Sequence, residues 1–248
     1  MLCTVPALAD GGYYSQVVAP GKGALLGFGD SITYGLGDLV APGAAVTILP
    51  ETNGRSGYLT RVSALLGIPT ENKGVRGEEL VADGVSRLPG VVLASQAPVV
   101  SLLEGANDAF SFVTQTQFRL ALQKELNITF VLGKLPLLAT IPRPCCNHAG
   151  IAPFVEAYNQ AARETAVVYG LPVADLELAW QTTCANAEAC ELFNLPEGLH
   201  PNTRGYDVIA QTVTATLLGI DIFSPKGAAD MEKTLGLAPG SIIIRPRV

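Results

Sequence analysis

The chain has 248 residues, 48% hydrophobic and 15% charged, which suits one α/β domain with a full core and excludes a disordered chain. A formal net charge of −6 argues against the basic face that phosphate binding needs, so no nucleic-acid partner is expected. No uninterrupted apolar run reaches the roughly 18 residues of a membrane span, and no basic stretch precedes an apolar one near Met1. Neither stable membrane insertion nor an intact signal peptide is therefore expected.

Residues 1–22 carry Pro6, Gly11, Gly12 and Pro20 without a clear period and read as an irregular lead-in. The apolar run 24–28 ends in Gly29-Asp30-Ser31, a strand entering a turn. A Gly- and Pro-bearing loop follows, through Pro50 and Gly57. Residues 58–66 have helical spacing, with Leu59, Val62, Leu65 and Leu66 on one face. A strand is expected over 68–75, a helix over 79–88, and a buried strand over 98–103 between Pro98 and Gly105. A helix over 115–126 precedes a strand over 135–141 that Pro142 and Pro144 stop. An amphipathic helix over 153–169, a strand over 171–176 and a helix over 203–218, capped by Asn202, complete the series. Strands alternating with helices predict a parallel sheet covered on both faces, with its site at the carboxyl edge of the strands. Residues 23–223 are read as that domain. Residues 224–248 hold Pro225, Gly227, Pro239, Gly240 and Pro246 and read as an appended tail, either wrapped on the domain or mobile.

Cys184 and Cys190 flank the polar stretch 185–189, a loop where a short disulfide fits. A bridge there would favour an exported protein, and two free thiols a reducing compartment; the localisation is otherwise open. Cys3, Cys145 and Cys146 complete the set. Adjacent Cys145 and Cys146 near His148 lack the spacing and ligand count of a metal site, so a Pro-rich loop without metal is expected.

Four short segments carry chemistry: Gly29-Asp30-Ser31, Asn72-Lys73-Gly74-Val75-Arg76-Gly77, Gly105-Ala106-Asn107-Asp108 and Glu197-Gly198-Leu199-His200. Three follow strands and the fourth precedes the helix over 203–218, so a parallel sheet can gather all four at one edge. The combination points to acyl transfer. A serine hydroxyl needs a base to take its proton, and His148 and His200 are the chain's two histidines. His200 has Glu197 three residues before it, whereas His148 has no carboxylate so placed in sequence. The N–H groups of Ser31 and Gly77 and the Asn107 amide would supply oxyanion donors. Asp30 and Asp108 read as loop-holding carboxylates, and Trp180 as core.

These segments resemble the GDSL/SGNH hydrolases. Gly29-Asp30-Ser31 matches the family's first block, Asn72 and Gly77 its second, Gly105-Ala106-Asn107-Asp108 its third, and Glu197 to His200 its D-x-x-H block, with Glu197 in place of the usual Asp. The resemblance spans residues 24–218. It implies a three-layer α/β/α sandwich with a flavodoxin-like parallel sheet of about five strands and no cofactor. It assigns Ser31 as nucleophile, His200 as base, Glu197 as its orienting acid, and Ser31, Gly77 and Asn107 as the oxyanion hole. The implied substrate is a small-molecule ester with a short- to medium-chain acyl group. Carbohydrate acetyl esters, lysophospholipids and thioesters are the alternatives within the family, and a non-catalytic ligand-binding module is the alternative outside it. The G-x-S-x-G elbow of α/β-hydrolases is absent around Ser31. Tyr34, Leu36 and Leu39 beside the nucleophile lean toward an acyl chain, and Tyr34, Phe110 and Arg143 are the candidate substrate-binding residues, with Phe112 and His148 also near the expected edge. The oligomeric state is left open.

Overall fold

The computed structural model describes residues 12–41 and 56–245. Cys3 and much of the loop expected after the first strand lie outside those residues. Five parallel strands form one sheet in the order β2-β1-β3-β4-β5, the flavodoxin-like arrangement: β1 (Leu25–Gly29), β2 (Thr70–Gly74), β3 (Val99–Leu103), β4 (Leu135–Ala139) and β5 (Val173–Ala174). Residue 25 pairs with 70 on one side and 99 on the other, and residue 29 with 74 and 103, so β1 to β3 end level. That level edge is where the order reverses between β1 and β3.

Side chains alternate across the sheet as a strand demands. Leu25, Val99 and Leu103 enter one core, and Leu26, Phe28, Val100 and Leu102 the other. The first core is covered by α2 (Tyr58–Leu66) and α8 (Thr203–Leu218), with α7 (Leu176–Thr183) against α8. The second is covered by α3 (Val85–Ala94), α5 (Gln115–Val131) and α6 (Ala152–Tyr169). Burial on both faces explains why β1 and β3 read as continuous apolar runs. The edge strand β2, Thr-Glu-Asn-Lys-Gly, is only partly buried, and its strand character comes from pairing with β1.

The expected three-layer sandwich is the observed one, and several boundaries differ for local reasons. The helix expected over 79–88 is a π turn, Leu80–Gly84, running into α3, which continues past Pro89 to Ala94. Burial of Leu88 and Val92 on its inner face outweighs the loss of one N–H at Pro89. The strand expected over 171–176 shortens to β5, because the Asp175 carboxylate accepts from Leu178 N at 3.0 Å and starts α7, a helix the pattern did not foretell. The helix over 203–218 is α8 as expected, with Asn202 accepting from Gly205 N at 3.1 Å.

Both ends of the described chain share the core. Tyr14 and Val18 are fully buried, and Tyr14 Oη donates to Pro136 O at 2.7 Å. Past α8, Ser224 caps α9 (Pro225–Leu235), whose Met231 is fully buried, and Ile243 N donates to Gln211 Oε1 at 2.8 Å on α8. The described part of the expected tail is thus wrapped on the domain. Among the described residues no helix is long and apolar enough to cross a membrane.

Candidate active site

Two short helices project from the level strand ends, α1 (Ser31–Tyr34) after β1 and α4 (Ala106–Phe110) after β3. Gly29 makes the first turn possible: a Cβ there would lie 2.2 Å from Leu103 O and 2.3 Å from Thr33 Oγ1. Asp30 caps α1, its carboxylate accepting from Ile32 N at 2.8 Å, which places Ser31 first in the helix. Burial pushes the Asp30 carboxyl up to about 7 against that hydrogen bond and the nearby His200. Asn72 ties the neighbouring strand in, donating to Thr33 O at 3.0 Å and accepting from Gly74 N at 2.9 Å.

Ser31 Oγ lies 2.8 Å from His200 Nε2, and His200 Nδ1 lies 2.7 Å from Glu197 Oε1. Burial pushes the Glu197 carboxyl up, but the His200 ring and the N–H groups of His200 and Leu199, both 2.9 Å from Oε2, outweigh it and hold the carboxyl below its ordinary value. An ionised carboxylate only accepts, so Nδ1 carries the proton and Nε2 is left to accept from the serine. Glu197 thus reaches the His200 ring with one oxygen and caps the turn that carries that histidine with the other. Gly198 N donates to Asn194 O at 2.8 Å and Asn194 N to His200 O at 3.0 Å, which closes that turn.

Asn107, in α4, donates one amide hydrogen to Glu78 O at 2.8 Å, which leaves its second for a ligand. The same bond fixes the Gly77–Glu78 segment beside it. Gly77 is exposed with φ +78°, free of any heavy atom within 4 Å of a Cβ position. Glu78 is held from below by a bidentate ion pair with Arg87. Asp108 faces inward and accepts from Leu80 N and Val81 N at 2.7 and 3.0 Å, the loop-holding task expected of it.

The outer residues divide. Phe110 is 42% exposed and meets the His148 ring edge-on, centroids 5.4 Å apart. Tyr34 is half-buried at the end of α1, and Leu36 is buried, its carbonyl accepting from Tyr206 Oη at 2.8 Å. Leu39 and Phe112 are 73% and 70% exposed. Arg143, partly exposed, pairs with Glu156, Nε to Oε1 at 2.5 Å. Trp180 is buried core, as read from sequence.

His148, expected near this edge, makes a contact that the sequence did not foretell. Its Nδ1–H donates to Glu197 O at 2.7 Å and stands 3.4 Å from Glu197 Oε1, so both histidines address one glutamate. The partners are 49 residues apart, and no local spacing signals the contact. Cys184 and Cys190 are bridged. Among the described residues, one group has metal-ligand proximity, Cys184, Cys190 and Glu191, and its two sulfurs are tied in that bridge.

A model of the GDSL-like lipase/acylhydrolase family matches residues 28–208. No curated protein matches in sequence. Solved structures with the same fold include a lipolytic protein of the G-D-S-L family from Desulfitobacterium hafniense, 19% identical with TM-score 0.62 over 79% of this chain and 99% of that one. An acetylxylan esterase from Geobacillus stearothermophilus is 21% identical, with TM-score 0.61 over 81% and 95% of the two chains. A lipase/acylhydrolase from Enterococcus faecalis is 23% identical, with TM-score 0.58 over 79% and 95%.

Proposed function

The chain belongs to the GDSL-like lipase/acylhydrolase family and is an ester hydrolase, and we propose that it cleaves small-molecule esters of short- to medium-chain acids through an acyl-enzyme on Ser31. The observation that carries this reading is the relay from Ser31 Oγ to His200 Nε2 at 2.8 Å and from His200 Nδ1 to Glu197 Oε1 at 2.7 Å.

In the first half-reaction His200 takes the Ser31 proton as Oγ attacks the ester carbonyl. Charge develops on the carbonyl oxygen, and the N–H groups of Ser31 and Gly77 with the free Asn107 amide hydrogen receive it. Helix α1 leaves its first N–H groups without intrahelical partners, so Ser31 offers a donor without rearrangement. Glu197 steadies the imidazolium, which then protonates the departing alkoxide. In the second half-reaction water replaces the alcohol, and the same groups return the serine. Phe110, exposed beside His148, and half-buried Tyr34 are the apolar surfaces assigned to the acyl or alcohol group.

The test compares wild type with Ser31→Ala on p-nitrophenyl esters of graded chain length. Acetylated xylan joins the panel because an acetylxylan esterase shares the fold. We expect kcat to fall by about 10⁴ to 10⁶ and labelling by a fluorophosphonate probe to disappear, with the fold intact. Near-normal turnover in the purified variant would refute the mechanism. Labelling confined to another serine would move the nucleophile.

A further inference from the structure

We propose that Cys145 and Cys146 close into a vicinal disulfide, a reversible modification that grips the loop bearing Glu197. The inference about activity rests on the reading of Glu197 as the acid of the triad; the inference about the bond does not.

Among the described residues, Cys145 and Cys146 are the cysteines outside the Cys184–Cys190 bridge. Their Sγ atoms stand 2.7 Å apart, with Cys145 buried and Cys146 partly exposed. The backbone is already shaped for this. Cys145 is extended, φ −133° and ψ −173°, while Cys146 has φ +57°, a left-handed conformation that a residue with a Cβ adopts only when its surroundings demand it. That conformation, with Cys146 Sγ also 3.3 Å from Glu188 O, keeps the two sulfurs facing each other at a separation from which a bond can close. Adjacent Cα atoms are about 3.8 Å apart, below the usual span of a disulfide, so such a ring is strained and easily reduced. The Cys184–Cys190 bridge is not of this vicinal kind: its Cα atoms are 5.3 Å apart.

The pair lies against the catalytic loop. Cys145 N donates to Gly198 O at 2.9 Å, and Asn147 N to Pro196 O at 3.2 Å. Gly198, with φ +81°, has no room for a side chain: a Cβ there would lie 2.3 Å from Cys145 O. His148 N donates to Cys145 O at 2.9 Å, and the His148 ring reaches Glu197. The turn 145–148 therefore holds both sides of the residue that orients His200. With the ring closed, Cys146 is kept left-handed and this register is fixed. With it open, as in the structure, hydrogen bonds alone hold the same turn, and the seat of Glu197 is less firmly fixed.

The chemistry needs a small-molecule disulfide as oxidant. Cys146, the accessible thiol, attacks one sulfur as thiolate, forming a mixed disulfide and releasing one thiolate. Cys145, deprotonated in turn, attacks Cys146 Sγ and displaces the second. Two cysteine thiols are oxidised, one external disulfide is reduced, and the two protons pass to the released thiolates. Burial, together with the contact to Cys146, pushes the Cys145 thiol up to about 12, so the closing step is the slow one.

The experiment poises the full chain in buffers of oxidised and reduced glutathione, traps free thiols with iodoacetamide, and maps the peptides by mass spectrometry. The expected result is a Cys145–Cys146 peptide that lacks two hydrogens and carries no adduct, opening at a higher potential than Cys184–Cys190. Over that window kcat on a p-nitrophenyl ester should fall about 3- to 10-fold as the ring opens, with KM unchanged, because a small misplacement of an orienting group acts on turnover. Cys146→Ala should remain at the lower rate at every potential. Alkylation of both cysteines even in the most oxidising buffer while Cys184–Cys190 stays bridged, a stable glutathione adduct on Cys146, or a link from either residue to Cys3 would each overturn the proposal. A closed ring with kcat independent of potential would overturn its coupling to Glu197. Full turnover by Ser31→Ala would instead refute the function and leave the mapped bond standing.

Discussion

Replacing Glu197 by Gln separates the two tasks of this residue. In the native site Oε1 receives the His200 Nδ1 proton at 2.7 Å, while Oε2 caps the N–H groups of Leu199 and His200 at 2.9 Å. Gln offers one oxygen and one NH2 in nearly the same volume. If the oxygen keeps the two backbone donors, the NH2 faces Nδ1, which must then give up its proton. That tautomer places the proton on Nε2, where it blocks acceptance from Ser31. Loss of the productive tautomer costs on the order of 10³ to 10⁴ in kcat. Glu197→Ala removes the wrong donor as well as the right acceptor, so water can receive Nδ1–H, and the loss should be smaller, about 10 to 10³. Glu197→Asp draws the carboxylate back by one methylene. It forfeits part of a charge-assisted bond of about 1.5–3 kcal/mol, roughly a 10- to 100-fold loss, because the turn is held from both sides and does not follow. The assay is steady-state hydrolysis of a p-nitrophenyl ester, with circular dichroism to establish folding. KM should change little in all three variants. Gln within threefold of wild type, or Ala clearly worse than Gln, would refute the tautomer argument.

Asn107→Ala should lower kcat by about 10² to 10³ with KM nearly constant, as expected for a donor that strengthens its bond in the transition state; a pure KM effect in the same assay would make Asn107 a substrate clamp. Glu125, fully buried on α5, is pushed well above the ordinary carboxylate range by burial and by the nearby Glu78 and Asp108, against Arg87. The folded chain therefore holds a proton there that the unfolded chain has released, so stability falls as pH rises from about 4.3 through the raised folded value. Glu125→Gln should flatten that fall, giving a higher Tm than wild type at pH 8 and little difference at pH 4. Parallel melting curves across the range would show that Glu125 is ionised in the fold.

The sequence by itself carried the parts of this protein that depend on local chemistry. Continuous apolar runs gave β1, β3 and β4, and the Asn202 cap gave α8, because burial on two faces and an unsatisfied helix N-terminus each leave a mark within a few residues. Ser31, Asn107, His200 and Glu197 stood out as candidates for the same reason, since each sits in a short segment beside a strand or helix end. Tertiary structure decided what depends on distant partners. Strand β2, expected over 68–75, takes its bounds Thr70–Gly74 from its pairing with β1, and α3 continues through Pro89 because Leu88 and Val92 are buried. His148 reaches Glu197 across 49 residues, Arg143 pairs with Glu156, and residues 225–235 fold onto the core through Met231. The left-handed Cys146 and its docking on Gly198 belong to the same class. Two loops far apart in the chain meet only when the parallel sheet lines up its carboxyl edge, and no local pattern encodes which side chains will then touch.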